Sequence, residues 1–539
     1  MPDGSTEVRR TRRLGLAALS GILVGLTTPS TSLILLLPVA LVPLMLAVEE
    51  DSVKGAIATG ELFGFCFWLT TVQWVAYTVH HFGGFSWPLA VLAAVICAAV
   101  LATPFAAMAG LVAAIRPDGP AAAAAVWAAA WVLQEAVRSA FLGGIPWALL
   151  AAPLVSIPPL AQSAAFGGVF LTSGLIVVTN GLVGGLWRSA ILSRKALFAV
   201  AALLLPVAAW GLGAARIKAV ATEPAPVLPP LRLTLLQPNV EQAVRFTAAT
   251  SEQTYRDLLE QTRAVARSDR PDVVVWPESA APWAWQTSSR FQADLVALCR
   301  QERIAVLFNT VWSDAPEDND APYYNSALLV TSNGPVLPPY HKQRLVPFGE
   351  YVPLGALLRH IRPISQAVPG SFSPGVGGPP IPLGAWKLGG AVCYEVVYPW
   401  IARNHVRRGA NLLFTLTNDA WFGSLSARRQ HWQGAAFRSI ETGVPLVRAA
   451  ITGITGWVDP VGQGHWIAPD RKGAMTVTLG GRSGFARPIP PPPAVAAGNL
   501  VVWVCAAGLF VCILRPRVFQ PRKPAGIAPA TRRGKPNDE

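Results

Sequence analysis

The sequence predicts an α/β globular domain carried by a polytopic all-α membrane part, and three observations predict it. Apolar residues make up 52% of the 539-residue chain and charged residues only 14%, with mean hydropathy +0.40; a soluble domain usually carries ~25% charged residues. Long apolar stretches fill the first 215 residues and return near the end. Between Leu231 and Thr478 the pattern changes, and short β-branched runs alternate with helical stretches.

The apolar stretches are Leu14–Thr27, Ser32–Val48, Gly55–Val79, Pro88–Ile115, Ala121–Ala140, Phe166–Trp187, Ala196–Ala214 and Val495–Leu514. A bilayer core needs ~20 apolar residues per helix, so the first two are short by that measure. They predict eight transmembrane helices. Arginines ahead of the first stretch resemble a signal peptide, but no small-residue cleavage site follows, and the helix reads as retained. Placing the N-terminus inside puts the charged loops Glu49–Lys54, Arg116–Gly119 and Arg188–Lys195 and the basic tail on the cytoplasmic side, as the positive-inside rule asks. The loops Thr28–Thr31 and His80–Gly84, without Lys or Arg, then lie outside with the α/β domain. The expected division is 1–218 membrane domain with seven helices, 219–490 extracytoplasmic catalytic domain, 491–515 eighth helix, and 516–539 basic cytoplasmic tail.

Within the α/β part, Leu231–Leu236, Val273–Trp276, Ala305–Asn309, Ser326–Val330, Gly389–Val392, Leu412–Leu416 and Leu446–Ala450 read as strands. Gln253–Ala266, Phe291–Arg303 and Arg429–Glu441 read as helices. This alternation predicts a central sheet. Pro224–Pro230 and the Pro run Ile489–Ala494 read as linkers to the membrane part.

The net charge of +14 does not indicate nucleic acid, because much of the excess lies in Arg9–Arg13 and in the tail, beside apolar spans. Four of the six cysteines fall in apolar spans, and no CxxC or Cys/His spacing suggests a metal. Cys299 ends an amphipathic run and reads as a buried small hydrophobe. Cys393 is different. The run Gly389-Gly390-Ala391-Val392 delivers it to a strand end, where the following turn can expose a nucleophile. A thiol of pKa ~8.5 needs activation at neutral pH. Glu278, at the end of Val273–Trp276, is the candidate general base, because partial desolvation raises its proton affinity. Lys342 would stabilise the thiolate and an oxyanion, with the Tyr394 N–H as a second donor. Glu350 would support Lys342.

Trp276-Pro277-Glu278, Lys342 with Leu345-Val346-Pro347-Phe348-Gly349-Glu350, and Cys393-Tyr394-Glu395 resemble the nitrilase (carbon–nitrogen hydrolase) superfamily. That resemblance implies an α-β-β-α sandwich, here inserted in the eight-helix membrane domain. Further segments are similar to the apolipoprotein N-acyltransferase family. These are Phe63-Gly64-Phe65, Gln73-Trp74-Val75, His81-Phe82-Gly83-Gly84, Glu135 with Arg138, Ile145-Pro146-Trp147, Leu236-Gln237-Pro238-Asn239-Val240, Tyr324-Asn325-Ser326, Thr417–Gly423, and His431 with Arg438, Glu441, Arg448 and Thr452-Gly453. Pro238 is a departure, since a small residue is common there.

The family resemblance implies a ping-pong acyl transfer without a cofactor. A phospholipid gives its acyl group to Cys393, and the thioester gives it to the N-terminal amine of an S-diacylglyceryl-cysteine apolipoprotein. It also implies a multi-pass protein of the bacterial cytoplasmic (inner) membrane with both termini cytoplasmic, acting as a monomer. It places Asn325 and the Asn418–Gly423 loop, with Trp421, around the site, and Tyr394 and Glu395 beside it. Trp283, Trp285 and the loop Pro353–Gly378 with Leu354, Leu357 and Leu358 would cover the thioester against water; packing against the membrane half is their other reading.

Two rival readings remain at this stage. A membrane-anchored nitrilase-like amidase would use the same residues to hydrolyse a carbon–nitrogen bond, although an anchor needs only one span. A transporter or scaffold would need a polar pathway through the membrane, and intramembrane charges are few: Glu61, and Glu135 with Arg138.

Overall fold

The computed structural model describes residues 4–28, 32–49, 51–222, 228–240, 248–281, 283–318, 320–353, 372–481 and 491–514. The basic tail, the loop residues Leu354, Leu357 and Leu358, and parts of both expected linkers lie outside the described residues.

Helices form where the apolar stretches lie. They are α1 (Gly4–Thr27), α2 (Val42–Glu49), α3 (Val53–Thr71), α4 (Trp74–His81), α5 (Trp87–Ile115), α6 (Pro120–Arg138), α7 (Pro158–Ala161), α8 (Ala164–Arg188) and α9 (Leu192–Thr222). Four of them, α5, α6, α8 and α9, are long and apolar enough to cross a membrane, and a fifth span results if α3 and α4, bent by 58°, count as one. The expected second span is broken. Ile34–Leu36 is a 3-10 turn, and α2 has 8 residues, about 12 Å of rise against a hydrocarbon core of about 30 Å. Among the described residues the N-terminal region is helical and apolar, with four spans by length and composition.

The outward faces of these helices explain their composition. Leu203, Leu204, Val207, Trp210 and Leu212 of α9 and Leu92, Ile96 and Val100 of α5 are exposed. Such apolar faces suit lipid rather than water.

The second half has two six-stranded sheets. Its strands are β1 (Leu231–Gln237), β2 (Val273–Val275), β3 (Ala305–Ser313), β4 (Tyr323–Thr331), β5 (Gly334–His341), β6 (Ile381–Leu383), β7 (Trp386–Val392), β8 (Leu412–Thr417), β9 (Leu446–Ala450), β10 (Gly456–Val458), β11 (Gly464–Trp466) and β12 (Gly473–Leu479). One sheet runs β12-β1-β2-β3-β4-β5 and the other β11-β10-β9-β8-β7-β6. The alternation of strands and helices suggested one central sheet. Two form because each strand group closes with antiparallel additions, β12 and β4–β5 on one and β6 and β10–β11 on the other.

Leu233, Leu235, Val275 and Leu307 of the first sheet meet Leu388, Phe414, Leu416 and Val447 of the second in one core. Outside the first sheet lie α10 (Ala248–Asp269) and α11 (Ser289–Glu302), packed through Tyr255, Leu258, Phe291 and Leu295. Outside the second lie α12 (Pro399–Arg407) and α13 (Leu425–Thr442). The layers are therefore α-β-β-α, a nitrilase-like sandwich.

The layer of α12 and α13 does not face solvent. Ile401, Phe437 and Ile440 share one apolar cluster with Phe63, Phe105 and Trp131 of the membrane helices. A break in α8 at Gly167 and Gly168 frees the Val169 N–H, which donates to Glu441 of α13 at 2.7 Å. The last described helices, α14 (Pro493–Ala497) and α15 (Leu500–Ile513), return to the membrane part, and Arg407 of α12 donates to the Val495 carbonyl at 2.7 Å.

Candidate active site

Cys393 and Glu278 follow β7 and β2; β7 is the first strand of the parallel run β7-β8-β9 and β2 the middle strand of the parallel run β1-β2-β3. Carboxyl ends of parallel strands are where α/β folds present functional groups. Lys342 follows the edge strand β5, whose register on β4 brings its N–H to the Asn325 carbonyl at 2.8 Å. The three residues, which sequence reasoning proposed from separate segments, meet in one buried cluster with exposures of 7% for Cys393, 6% for Glu278 and 1% for Lys342.

The polar groups of this cluster are paired. Lys342 Nζ donates to Glu350 Oε1 at 2.9 Å and lies 3.8 Å from Glu278 Oε1. Asn325 Nδ2 donates to Glu350 Oε1 at 2.7 Å and to Glu278 Oε1 at 3.3 Å. Its own oxygen is fixed by Asn309 Nδ2 at 2.6 Å. The other Glu278 oxygen accepts the Asn418 N–H at 3.0 Å, and the other Glu350 oxygen accepts the Val346 N–H at 2.8 Å. One amide and one ammonium thus separate two carboxylates that would otherwise repel each other.

Burial dominates the acidities. It pushes the Glu278 carboxyl above its ordinary value, while Lys342 opposes the shift. Burial and then the Glu278 carboxylate push the Cys393 thiol up, again against Lys342. Burial works against the Lys342 charge, but Glu350 and then Glu278 overcome it and hold the ammonium above its usual range. The result is a neutral thiol beside a carboxylate whose proton affinity has been raised toward it, which suits proton transfer during attack rather than a standing thiolate.

The Cys393 backbone has φ +55°. A left-handed non-glycine residue costs about 1–2 kcal/mol and marks a site where the surroundings over-determine the backbone. Glu395 supplies part of that constraint. It is fully buried and accepts from the Val392 N–H at 2.7 Å, the Gln343 N–H at 2.6 Å, the Arg344 N–H at 3.2 Å and Tyr340 Oη at 3.0 Å. Burial pushes its carboxyl up to about 7 against these donors. Glu395 thus ties the thiol-bearing turn to the loop that follows Lys342.

A second buried group was not assigned a role from sequence. Arg448 of β9 donates to both Asp419 oxygens at 2.9 and 2.7 Å. His431 of α13 spans from Asp419 Oδ1, 3.0 Å from Nδ1, to the Cys393 carbonyl oxygen, 3.0 Å from Nε2. Asp419 Oδ1 and the Cys393 carbonyl are acceptors, while Arg448 Nη2, 3.2 Å from Nδ1, is a donor; burial and then Arg448 hold the imidazole below its ordinary value against Asp419. Thr417 Oγ1, at the end of β8, lies 3.0 Å from Asp419 Oδ1 and 3.3 Å from Cys393 Sγ. A signal was present, because β8 is the parallel neighbour of β7, and polar residues just past its end occupy the same level as Cys393.

The remaining candidates lie at the seam with the membrane part or away from it. Tyr394 Oη donates to the Gly144 carbonyl at 3.3 Å, and Tyr398 Oη donates to the Gly143 and Gly144 carbonyls at 2.9 and 2.7 Å. The Trp147 indole donates to Gln430 of α13 and packs against Phe422. Trp421 packs on Phe82, and its carbonyl accepts from Thr78 Oγ1 of α4 at 2.8 Å. Trp283 is not brought to the cluster: its ring meets Tyr255 edge-on in the outer layer of the first sheet, while Trp285 packs on Phe291 and Phe308. Both stack within their own domain rather than on the membrane helices. Cys299 is buried beneath the first sheet, and burial raises its thiol to about 12, an inert structural cysteine.

Residues 20–182 match the family described as Apolipoprotein N-acyltransferase N-terminal domain, and residues 232–479 match Carbon-nitrogen hydrolase. The chain is 31% identical over 523 residues to the apolipoprotein N-acyltransferase of Geobacter metallireducens, covering 95% of this chain and 96% of that protein. It is 34% identical over 454 residues to the apolipoprotein N-acyltransferase of Azotobacter vinelandii, covering 83% and 85%. Among solved structures, a carbon–nitrogen hydrolase from Helicobacter pylori G27 matches with TM-score 0.36 and 17% identity over 46% of this chain and 89% of that one. An amidase from Nesterenkonia sp. matches with TM-score 0.35 and 22% identity over 47% and 92%.

Proposed function

The chain belongs to the apolipoprotein N-acyltransferase family, and from that premise we propose how it carries out lipoprotein N-acylation. Cys393 is the nucleophile, Glu278 its base, Lys342 the oxyanion donor with the Tyr394 N–H beside it, and Glu350 the carboxylate that fixes Lys342. The acyl donor is a phospholipid. Glu278 takes the thiol proton as sulfur attacks the ester carbonyl, the ester C–O bond breaks, and the proton passes to the departing lysophospholipid oxygen. The α-amine of a diacylglyceryl-cysteine then attacks the thioester, an amide forms, and the amine proton returns through Glu278 to sulfur.

The observation that carries this reading is the juxtaposition of Cys393, Glu278 and Lys342 in one buried cluster whose outer wall is the membrane part. The turn Cys393–Val397 leads into Tyr398, and both Tyr394 and Tyr398 bond the Gly143–Gly144 segment. A lipid ester can reach such a seam from the bilayer, while water is kept from the waiting thioester. We read the chain as a monomer with the domain division 1–218, 219–490, 491–515 and 516–539; the charge pattern of the loops and tail supports eight crossings of the bacterial cytoplasmic membrane, cytoplasmic termini and the sandwich on the extracytoplasmic side.

The test is mass spectrometry of the purified protein in phospholipid vesicles. A fatty acyl group should be found on Cys393, and addition of a diacylglyceryl-cysteine peptide should remove it and yield N-acyl peptide. Release of free fatty acid alone would favour the hydrolytic, amidase-like alternative. An unmodified Cys393 with full transfer would overturn the reading.

A further inference from the structure

We propose that Asp419 is a positioning residue for the nucleophile: it claims the Thr417 hydroxyl proton, so that Thr417 offers Cys393 Sγ only a lone pair and the thiol stays protonated until Glu278 removes its proton. This rests on the reading of Cys393 as the nucleophile.

Thr417 Oγ1 has one proton and two neighbours that could take it, Asp419 Oδ1 at 3.0 Å and Cys393 Sγ at 3.3 Å. An ionised carboxylate is a far stronger acceptor than a neutral thiol. Asp419 is ionised: although burial pushes its carboxyl up, the Arg448 guanidinium and His431 hold it well below the usual carboxylate range. The hydroxyl therefore points at Asp419, and its oxygen faces sulfur as a second acceptor for S–H beside Glu278, to which the thiol also bonds.

The groups that act on the sulfur from each packed element are Glu278 after β2, Lys342 after β5, and Thr417 and Asp419 at the end of β8; a Thr417 proton turned to sulfur favours the thiolate, and Asp419 draws that proton away. Glu350 lies behind Lys342, and Arg448 and His431 lie behind Asp419. Burial comes first, and two of these four groups are carboxylates, so the thiolate is disfavoured at rest. During attack the proton moves from sulfur to Glu278, and the S–C bond forms as the S–H bond breaks. No oxidant or second reactant is needed. A resting thiol, unlike a thiolate, also resists oxidation.

The sign of one substitution decides the proposal. Cys393 alkylation by iodoacetamide, read at that peptide by mass spectrometry, follows the thiolate fraction and requires no acyl donor. Thr417→Val removes one acceptor for S–H, so alkylation at pH 8 should rise about threefold, and Thr417→Ser should return it to the wild-type rate. Asp419→Asn removes a like charge within reach of sulfur and frees the hydroxyl to donate to it. Alkylation should then rise about tenfold, in line with the unit-sized effect of a neighbouring charge, while acyl transfer slows. General unfolding would instead accelerate labelling of buried Cys299 in parallel, so that peptide is the internal control. Slower Cys393 alkylation in Thr417→Val would mean that the hydroxyl donates to sulfur, and would overturn the proposal. If the wild type forms no thioester with phospholipid but these alkylation changes hold, the donor assignment fails and the role of Asp419 stands.

Discussion

Lys342 Nζ bonds Glu350 Oε1 at 2.9 Å and lies farther, 3.8 Å, from Glu278 Oε1. The ammonium is thus held by one carboxylate and leaves the other free to accept a proton. Two acids of the same kind take different roles because their partners differ: Glu350 is bound by Lys342, Asn325 and the Val346 N–H, while Glu278 has the more distant ammonium and the longer contact to Asn325.

Replacing Lys342 with Met removes the cation that lies beside both carboxylates of the cluster, Glu350 and Glu278. Thioester formation should fall at least 100- to 1,000-fold, on the order of one lost oxyanion donor. Breaking a buried charge cluster by removing one partner costs about 3–5 kcal/mol, so thermal unfolding in detergent should shift downward as well. Single-turnover acylation followed by mass spectrometry measures the first effect.

Glu278 must be ionised to act as base, and its carboxyl sits above the ordinary value because of burial. A raised pKa means that the base is lost to protonation at a higher pH than for a free glutamate. Acylation should therefore decline as pH falls through that value, and remain high above it. Glu278→Gln should abolish this acid limb together with the activity; a pH–rate profile of thioester formation checks both.

Asn325→Asp places a third carboxylate between Glu278 and Glu350, where an amide now donates to both. Like charge raises the proton affinity of the base. The acid limb should move to higher pH by about one unit, with a lower plateau. An unshifted limb would mean that Asn325 does not act on Glu278.

Glu395→Gln keeps shape but replaces an acceptor oxygen with an N–H2 group facing either the Val392 amide or the Gln343 and Arg344 amides. Each buried donor left unpaired costs about 1–3 kcal/mol. The variant should lose stability by at least that amount and acylate slowly, because the turn that holds Cys393 at φ +55° is no longer tied. Calorimetry and the single-turnover rate together measure the two losses.

Gly423 has φ +59°, and an added Cβ would lie 2.3 Å from the Tyr77 ring of α4. Gly423→Ala should therefore weaken the seating of the Asn418–Gly423 loop on the membrane part. Pairing it with Tyr77→Ala should relieve the overlap and leave only the left-handed backbone penalty of about 1–2 kcal/mol. A double-mutant cycle in thermal stability gives the coupling.

Much of this was legible because the relevant strands are apolar runs that end abruptly on polar residues. Val273–Val275 before Glu278 and Trp386–Val392 before Cys393 are such cases. Strand β5 was not legible. Its sequence Gly334-Pro335-Val336-Leu337-Pro338-Pro339-Tyr340-His341 carries three prolines, which cannot donate to a ladder. It forms because it is the outermost strand of its sheet and needs partners on one side only. The short strands β6, β10 and β11 have 3 residues each, too few for a period to show. The Arg448–Asp419–His431 group was only half legible: the resemblance singled out its segments, but Asp419 and His431 lie 29 and 17 residues from Arg448 in sequence, and only the packing of β8, β9 and α13 joins them. The second expected stretch is interrupted where Pro38 and Pro43 punctuate an otherwise apolar run.

The bonds from Tyr394 and Tyr398 to the Gly143–Gly144 carbonyls make the helical half a wall of the reaction chamber, not merely its tether. A water-soluble fragment cut at the linkers would keep its twelve strands and yet leave the phenols of this turn to find new partners. Compounds discovered by screening such a fragment would be selected against a chamber with one side missing, and medicinal chemistry aimed at this enzyme should begin with the intact chain in nanodiscs.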